Sequence, residues 1–288
     1  TQPVRVPGGP NAIVVVLSFA GIVAALMQTL VIPILTDLPV LLDTSPSNAA
    51  WVITATLLAS AVATPVSGRL GDLYGKRRVM LACAALLVLG SLLCALSSTV
   101  LPMIVGRALQ GAAMGLIPLG ISAMRDLLPP ERLGSAVAMM SASMGIGGAL
   151  GLPIAAAIAE YGNWHALFWV STGLAVLVGV LIFLLVPATP ITASGRCDPV
   201  GAVGLGAGLV CLLLGVSKGG DWGWGSATTI GLLAGAVVIL LLWGAFELRI
   251  EDPLVDLRVT ARPVGLLTNA ASVVIGFSMY ASSLILPR

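Results

Sequence analysis

Gly68-Arg69-Leu70-Gly71-Asp72-Leu73-Tyr74-Gly75-Lys76-Arg77-Arg78 separates two apolar runs, 50–67 and 79–97, and its contrast with them decides the fold. Each run approaches the roughly 20 predominantly apolar residues that a helix needs to cross a bilayer. The segment between them is charged and must lie in water. Working outward, such runs recur at 12–35, 50–67, 79–97, 102–123, 134–158, 165–187, 200–217, 226–246 and 264–286, which makes nine candidate spans. Most are too long for strands, and their alanine, leucine and glycine do not alternate with period two. Helices are therefore expected, because lipid offers no partner for unpaired backbone groups. The candidate 200–217 is short and glycine-rich.

Composition supports an all-α membrane protein. Charged residues are 9% of the chain and hydrophobic residues 58%, with a mean hydropathy of +1.07. A soluble domain carries roughly 25% charged residues. A chain so short of charge cannot cover itself with a water-compatible surface, so lipid must cover it. The net charge of +2 gives no reason to expect nucleic acid as a partner. The four cysteines, Cys83, Cys94, Cys197 and Cys211, show neither metal nor disulfide spacing and read as small hydrophobic filler. With His165 as the single histidine, no metal site is expected, and no cofactor either. The first apolar run exceeds the core of a signal peptide, about 7–15 residues, and reads as a retained first span.

Orientation follows from the basic residues. With a cytoplasmic N-terminus, the inner segments hold Arg5, Arg69, Lys76, Arg77, Arg78, Arg125, Arg132, Arg196, Arg249, Arg258 and Arg262. The outer loops then hold Lys218, with Arg288 ending the chain. This is the positive-inside pattern. Trp51, Trp164, Trp222 and Trp224 fall at expected outer boundaries and Trp169 just inside one, as an aromatic belt would place them.

The order Gly-x-Leu-x-Asp-x-x-Gly-Lys-Arg-Arg at 68–78 resembles the hallmark loop of the major facilitator superfamily. A basic loop alone would explain the charges but not this order. The resemblance implies a gating role for Gly68, Gly71, Asp72, Gly75, Lys76, Arg77 and Arg78, with Asp72 in a charge relay that locks the outward-facing state. From the residues themselves, the glycines allow a tight turn, and Asp72 can pair with the cations or cap a helix.

Further along, Arg107-Ala108-Leu109-Gln110-Gly111 is similar to the superfamily's fourth-helix motif, whose arginine is implicated in proton coupling. A cation at the membrane centre costs about 2.5–3.5 kcal/mol, so Arg107 is either functional or snorkels to the nearby outer interface. Gln110 lies one turn away, within its reach.

The fifth span is glycine-rich, with Gly145, Gly147, Gly148, Gly151 and Pro153. It resembles the antiporter signature Gly-Pro-x-x-Gly-Gly but departs from it, with Pro153 displaced and Ala155-Ala156 in place of the glycine pair. Ordinary tight packing explains the same residues. Trp164-His165-Ala166-Leu167-Phe168-Trp169 resembles the start of the sixth helix in the fourteen-span drug:proton antiporters, with His165 at the usual arginine position. A histidine there either titrates or packs at the interface. Asp252-Pro253-Leu254-Val255-Asp256-Leu257-Arg258 resembles that family's loop before the ninth helix. The first span holds Met27-Gln28-Thr29 where the family often has an aspartate, and no carboxylate falls inside any expected span. Gln28, Thr29, Thr54 and Ser143 are candidate cavity-lining residues, with Thr56 and Gln110 beside them.

The resemblance implies secondary active, proton-coupled export of a drug or small amphiphile by alternating access, with multidrug efflux and antibiotic resistance as the physiology. The expected organisation is a six-helix bundle over 1–187, two accessory helices over 188–247, and over 248–288 a cytoplasmic loop with the first helix of a second bundle. About nine of fourteen spans would be present, and the missing C-terminal half would be a required partner beside the lipid bilayer, protons and a small-molecule substrate. Location in the inner (cell) membrane is implied. Metabolite uptake or exchange is the second transport reading, and a non-transporting scaffold the alternative from another class. An enzyme is not expected, since no cluster of nucleophiles and bases and no phosphate-binding loop is present.

Overall fold

The computed structural model describes residues 9–161, 163–191, 198–250, 253–255, 257 and 262–285. Among these residues the chain is helical, without strands. The long helices are α1 (Gly9–Thr29), α2 (Pro46–Tyr74), α3 (Lys76–Leu96), α4 (Val100–Leu127), α5 (Pro130–Tyr161), α6 (His165–Leu185), α7 (Pro199–Trp222), α8 (Ala227–Glu247) and α9 (Pro263–Ile285). Eight of them, α1 to α8, are long and apolar enough to cross a membrane. The ninth expected span is also a helix, of which Pro263–Gly276 is a shorter apolar stretch.

The helix ends correct the sequence reading in two places. α1 stops at Thr29, short of the expected residue 35, and passes into a tight turn at Ile32–Ile34. Pro33 is the cause, because it has no N–H to continue the ladder and its ring crowds the preceding turn. In the opposite sense, α2 does not end at 67 but runs on through Gly68, Arg69, Gly71 and Asp72 to Tyr74. Hydropathy marks where lipid ends, whereas the helix continues into water as long as its hydrogen bonds do. At 29 residues, α2 is about 44 Å long, against a hydrocarbon core of about 30 Å. The expected loop is therefore a single break at Gly75, whose φ of 90° suits a residue without Cβ.

Local chemistry sets other ends. The Ser45 and Ser226 side chains accept from Asn48 N and Thr229 N, each at 3.2 Å, and so cap α2 and α8. Within α4, the stretch Ala113–Gly115 tightens to 3-10 geometry. Pro118 cannot donate to the Met114 carbonyl, which accounts for the local change of pitch. Pro153 sits inside α5 without ending it.

α1 lies at the centre, packed against α5, α6 and α4, while α3 packs on α4 and α6, and α2 on α4. α7 and α8 form a hairpin that leans on α2 through α7. Burial follows this order: 56% of the most apolar window of α1 is buried, against 11% in α8. Leu241 and Leu242 of α8 and Phe183 of α6 are exposed, as side chains facing lipid must be. α3 and α4 approach closely. A Cβ on Gly90 would lie 2.5 Å from the Gly106 carbonyl oxygen, and one on Gly106 2.6 Å from Cys94 Sγ.

Candidate functional site

A polar network joins α1, α3 and α4 in the interior. Arg107 and Gln110 are buried on α4, one turn apart. Arg107 Nη1 donates to Gln110 Oε1 at 2.7 Å and to the Met27 carbonyl at 2.9 Å. Gln110 Nε2 in turn donates to Ser91 Oγ on α3 at 2.8 Å. Met27 is available because α1 ends two residues later, and the last carbonyls of a helix have no intrahelical partner. A cation there also meets the negative end of the helix dipole. Arg107 is 2% exposed, its guanidinium reaching the end of α1. Its Nε has no hydrogen-bond partner among the described residues. Gly111 lets α4 touch α2, since a methyl group there would strike the Thr56 carbonyl.

The other candidates do not converge on this network. Gln28 Nε2 reaches Met114 Sδ at 3.1 Å, and Thr29 Oγ1 turns back to the Leu26 carbonyl. Thr54 bonds Ala50 O and lies 3.4 Å from Ser217 of α7, while Thr56 returns to Val52 O. Ser143 is buried in the α1–α5 seam and donates to Met140 O. In that seam Gly147 and Gly151 meet Ile22 and Thr29, whereas Gly145 and Gly148 have open space beside them and Pro153 is exposed. Two clefts, of about 460 and 540 Å³, open beside the first half of α1, one against Arg132 and Met139 and the other against Leu177 and Leu181. None of the predicted cavity residues lines either.

A second cluster forms where α2 breaks into α3. Lys76 is buried and pairs closely with Asp126 at the end of α4, and Asp72 is 3.9 Å from it. Sequence reading singled out Asp72 and passed over Asp126, which nothing in the local pattern distinguishes from an ordinary helix-end acid. The Arg77 backbone N–H donates to Thr189 Oγ1 at 3.2 Å, and its guanidinium donates to the Phe183 carbonyl at 2.6 Å. The break is thus tied to the end of α6. Gly71 packs against Leu119, while Gly68 has open space beside it and Arg78 is exposed.

At the opposite ends of the helices, His165 Nε2 lies 2.9 Å from the Ser97 carbonyl and Nδ1 lies 2.8 Å from Asn163 Oδ1. This joins the start of α6 to the end of α3. Lys218 of α7 is buried between Ser47, Asp221 and the Trp51 ring. Cys83 and Cys94 are buried free thiols and Cys211 is half-buried. Arg5, Arg196, Cys197, Asp252, Asp256, Arg258 and Arg288 lie outside the described residues.

Eight helices of bilayer length define a multi-pass membrane protein, with a buried arginine network in its first helices. The Major Facilitator Superfamily model matches residues 17–287, and the chain belongs to that family. An uncharacterised MFS-type transporter of Mycobacterium tuberculosis is 31% identical over 99% of this chain and 42% of its own length. The tetracenomycin C resistance and export protein of Streptomyces glaucescens is 33% identical over 75% of this chain and 40% of its own. The efflux pump dotC of Dothistroma septosporum is 33% identical over 87% and 45%. The chain therefore spans about two fifths of the length of these curated relatives. Among solved structures, the POT family transporter PepTSo aligns with a TM-score of 0.60 at 16% identity, over 86% of this chain and 54% of that one. The human organic anion transporter MFSD10 aligns at 0.56 and 15%, over 85% and 74%. These two likenesses concern the fold.

Proposed function

We propose that the chain is the front part of a proton-coupled exporter of drugs or small amphiphiles, of the fourteen-span type, lying in the cell membrane with its N-terminus in the cytoplasm. In this reading residues 1–187 form the first bundle, 188–247 the accessory hairpin, and 248–288 the connection and first helix of a second bundle. Alternating access requires two bundles rocking about a site near the bilayer midplane, so the remaining length seen in the relatives is a required partner. Support comes from relatives named for resistance and export.

The observation that carries the proposal is the bond from Arg107 to the open end of α1. Alternating access needs elements with two arrangements, and a helix end held by one side chain is such an element. An acid from the second bundle, or Asp72, carries the proton, and Arg107 exchanges partners as that acid gains or loses it. At the break between α2 and α3, Asp72, Lys76 and Arg77 form the gate.

The test uses everted vesicles acidified by respiration, with the complete transporter and a pH-sensitive dye. Candidate antibiotics and amphiphiles are added to wild type and to Arg107→Ala. Substrate-dependent alkalinisation that disappears in the variant is expected. The uptake reading draws on Ala155 and Ala156, which replace the glycine pair of the antiporter signature. Silence toward every compound, with folded protein in the membrane, would favour it.

A further inference from the structure

The α7–α8 hairpin brings together two carboxylates from its open ends. Asp198 is the N-cap of α7, and its Oδ1 accepts from the Val200 N–H at 3.0 Å. Glu247 is the last residue of α8 and is 3% exposed, and its Oε2 accepts from the Leu254 N–H at 2.8 Å. One oxygen remains on each, Asp198 Oδ2 and Glu247 Oε1, and both are buried without a hydrogen-bond partner among the described residues. They face the same point, because a methyl group on Gly201 would strike both. The expected span 226–246 stops one residue short of Glu247. The structure buries it.

An ionised carboxylate only accepts hydrogen bonds. Two buried acceptors that converge on one point are left unsatisfied and repel. One proton between them removes both faults. Glu247 is buried and Asp198 half-buried, which assigns the hydrogen to Glu247. Among the described residues, Asp198 is the one titratable group facing Glu247. α8 adds the Trp243 indole and the connection adds the Leu254 and Val255 amides. From α2, packed on the far side of α7, comes Val62 against Gly206. A hard metal cation would need six or more oxygen ligands, and among the described residues no third acidic, cysteine or histidine side chain joins the pair.

We propose that Glu247 and Asp198 hold one proton between them, Glu247 Oε1–H donating to Asp198 Oδ2, and that this proton latches the connection at Leu254 to the α7–α8 hairpin. Loss of the proton sets two negative charges face to face and pushes the Glu247 carboxylate off the Leu254 amide. The Leu254 amide then loses its acceptor. The site lies apart from Arg107 and does not depend on the transport reading.

The test is hydrogen exchange over peptides containing Leu254, in the full chain in lipid nanodiscs. Wild type is compared with Glu247→Gln at each pH from about 5 to about 9. The glutamine amide replaces the shared proton with a permanent N–H. The exchange ratio of wild type to variant should be near one at the acid end and rise at least about tenfold towards the alkaline end, where wild type has lost the proton. Asp198→Asn keeps the cap and should give the same profile, which covers the case that one variant fails to fold. A ratio constant with pH in both variants would overturn the proposal. So would a ratio set by sodium or calcium rather than by pH, read by repeating the series in choline chloride with chelator. No substrate or gradient enters the measurement, so its failure and that of the export reading remain distinguishable.

Discussion

Arg107 closes the end of α1: its Nη1 lies 2.9 Å from the carbonyl oxygen of Met27, eighty residues earlier in the chain. The same guanidinium holds Gln110, which holds Ser91, so α1, α3 and α4 meet in one chain of hydrogen bonds. Arg107→Ala leaves Met27 O and Gln110 Oε1 buried without this donor, at a cost of about 1–3 kcal/mol for each group left unsatisfied. Arg107→Lys retains the charge but not the planar fork, so it should keep one of the two bonds. Unfolding midpoints in nanodiscs should order wild type, Lys, then Ala. Equal midpoints for all three would show that the network does not hold the helices.

The buried lysine offers a sharper separation of partners. Lys76 and Asp126 have side chains 4% and 15% exposed, whereas Asp72 is 43% exposed and lies at 3.9 Å. Breaking a buried pair costs about 3–5 kcal/mol, and an exposed i,i+4 pair contributes about 0.3–0.5 kcal/mol. Double-mutant cycles with Lys76→Met should therefore give a coupling several times larger for Asp126→Asn than for Asp72→Asn. The reverse order would mean that Asp72 carries the structural tie as well as the proposed gating role.

Gly90 and Gly106 make a prediction that sequence reading did not reach. Each faces the other helix's backbone at a distance that leaves no room for a methyl group. Alanine at either should cost about 1–3 kcal/mol by forcing α3 and α4 apart. Gly145→Ala, in the glycine-rich α5 but with open space beside it, should be neutral or stabilising by up to about 1 kcal/mol. Thermal unfolding of the three variants decides it. Equal losses at Gly90, Gly106 and Gly145 would point to helix propensity rather than contact.

What was legible in the sequence was whatever the bilayer dictates locally. Length and hydropathy located α1 to α8, and the charged segment at 68–78 marked their turning point. Hydropathy could not see that α2 continues to Tyr74, because helix hydrogen bonds survive the passage from lipid into water. The partnership of Arg107 with Gln110 followed from helical spacing. Its bond to Met27 did not, since the acceptor is a backbone atom freed by a helix break elsewhere. Asp126, Asp198 and Glu247 were invisible for a related reason: each stands at a helix end, where acids are common, and only the tertiary packing buries Glu247 and pairs Asp126 with Lys76.

The helix break itself can be tested. Pro33 has no N–H to donate to the Thr29 carbonyl, and the chain leaves α1 there instead of continuing to residue 35. Pro33→Ala restores that donor and allows the next turn to form, in which the Val31 N–H would point at the Met27 carbonyl. The helix and Arg107 would then compete for one acceptor. Replacing a helix-breaking proline removes a penalty of about 3 kcal/mol, at least equal to what a single hydrogen bond to a charged group contributes, about 1.5–3 kcal/mol. The variant should therefore gain helix, seen as slowed hydrogen exchange at Val31 and Pro33→Ala itself, while Arg107→Ala should cost less stability in this background than in wild type. An unchanged cost for Arg107→Ala would mean that the open end of α1 is not what holds the arginine in place.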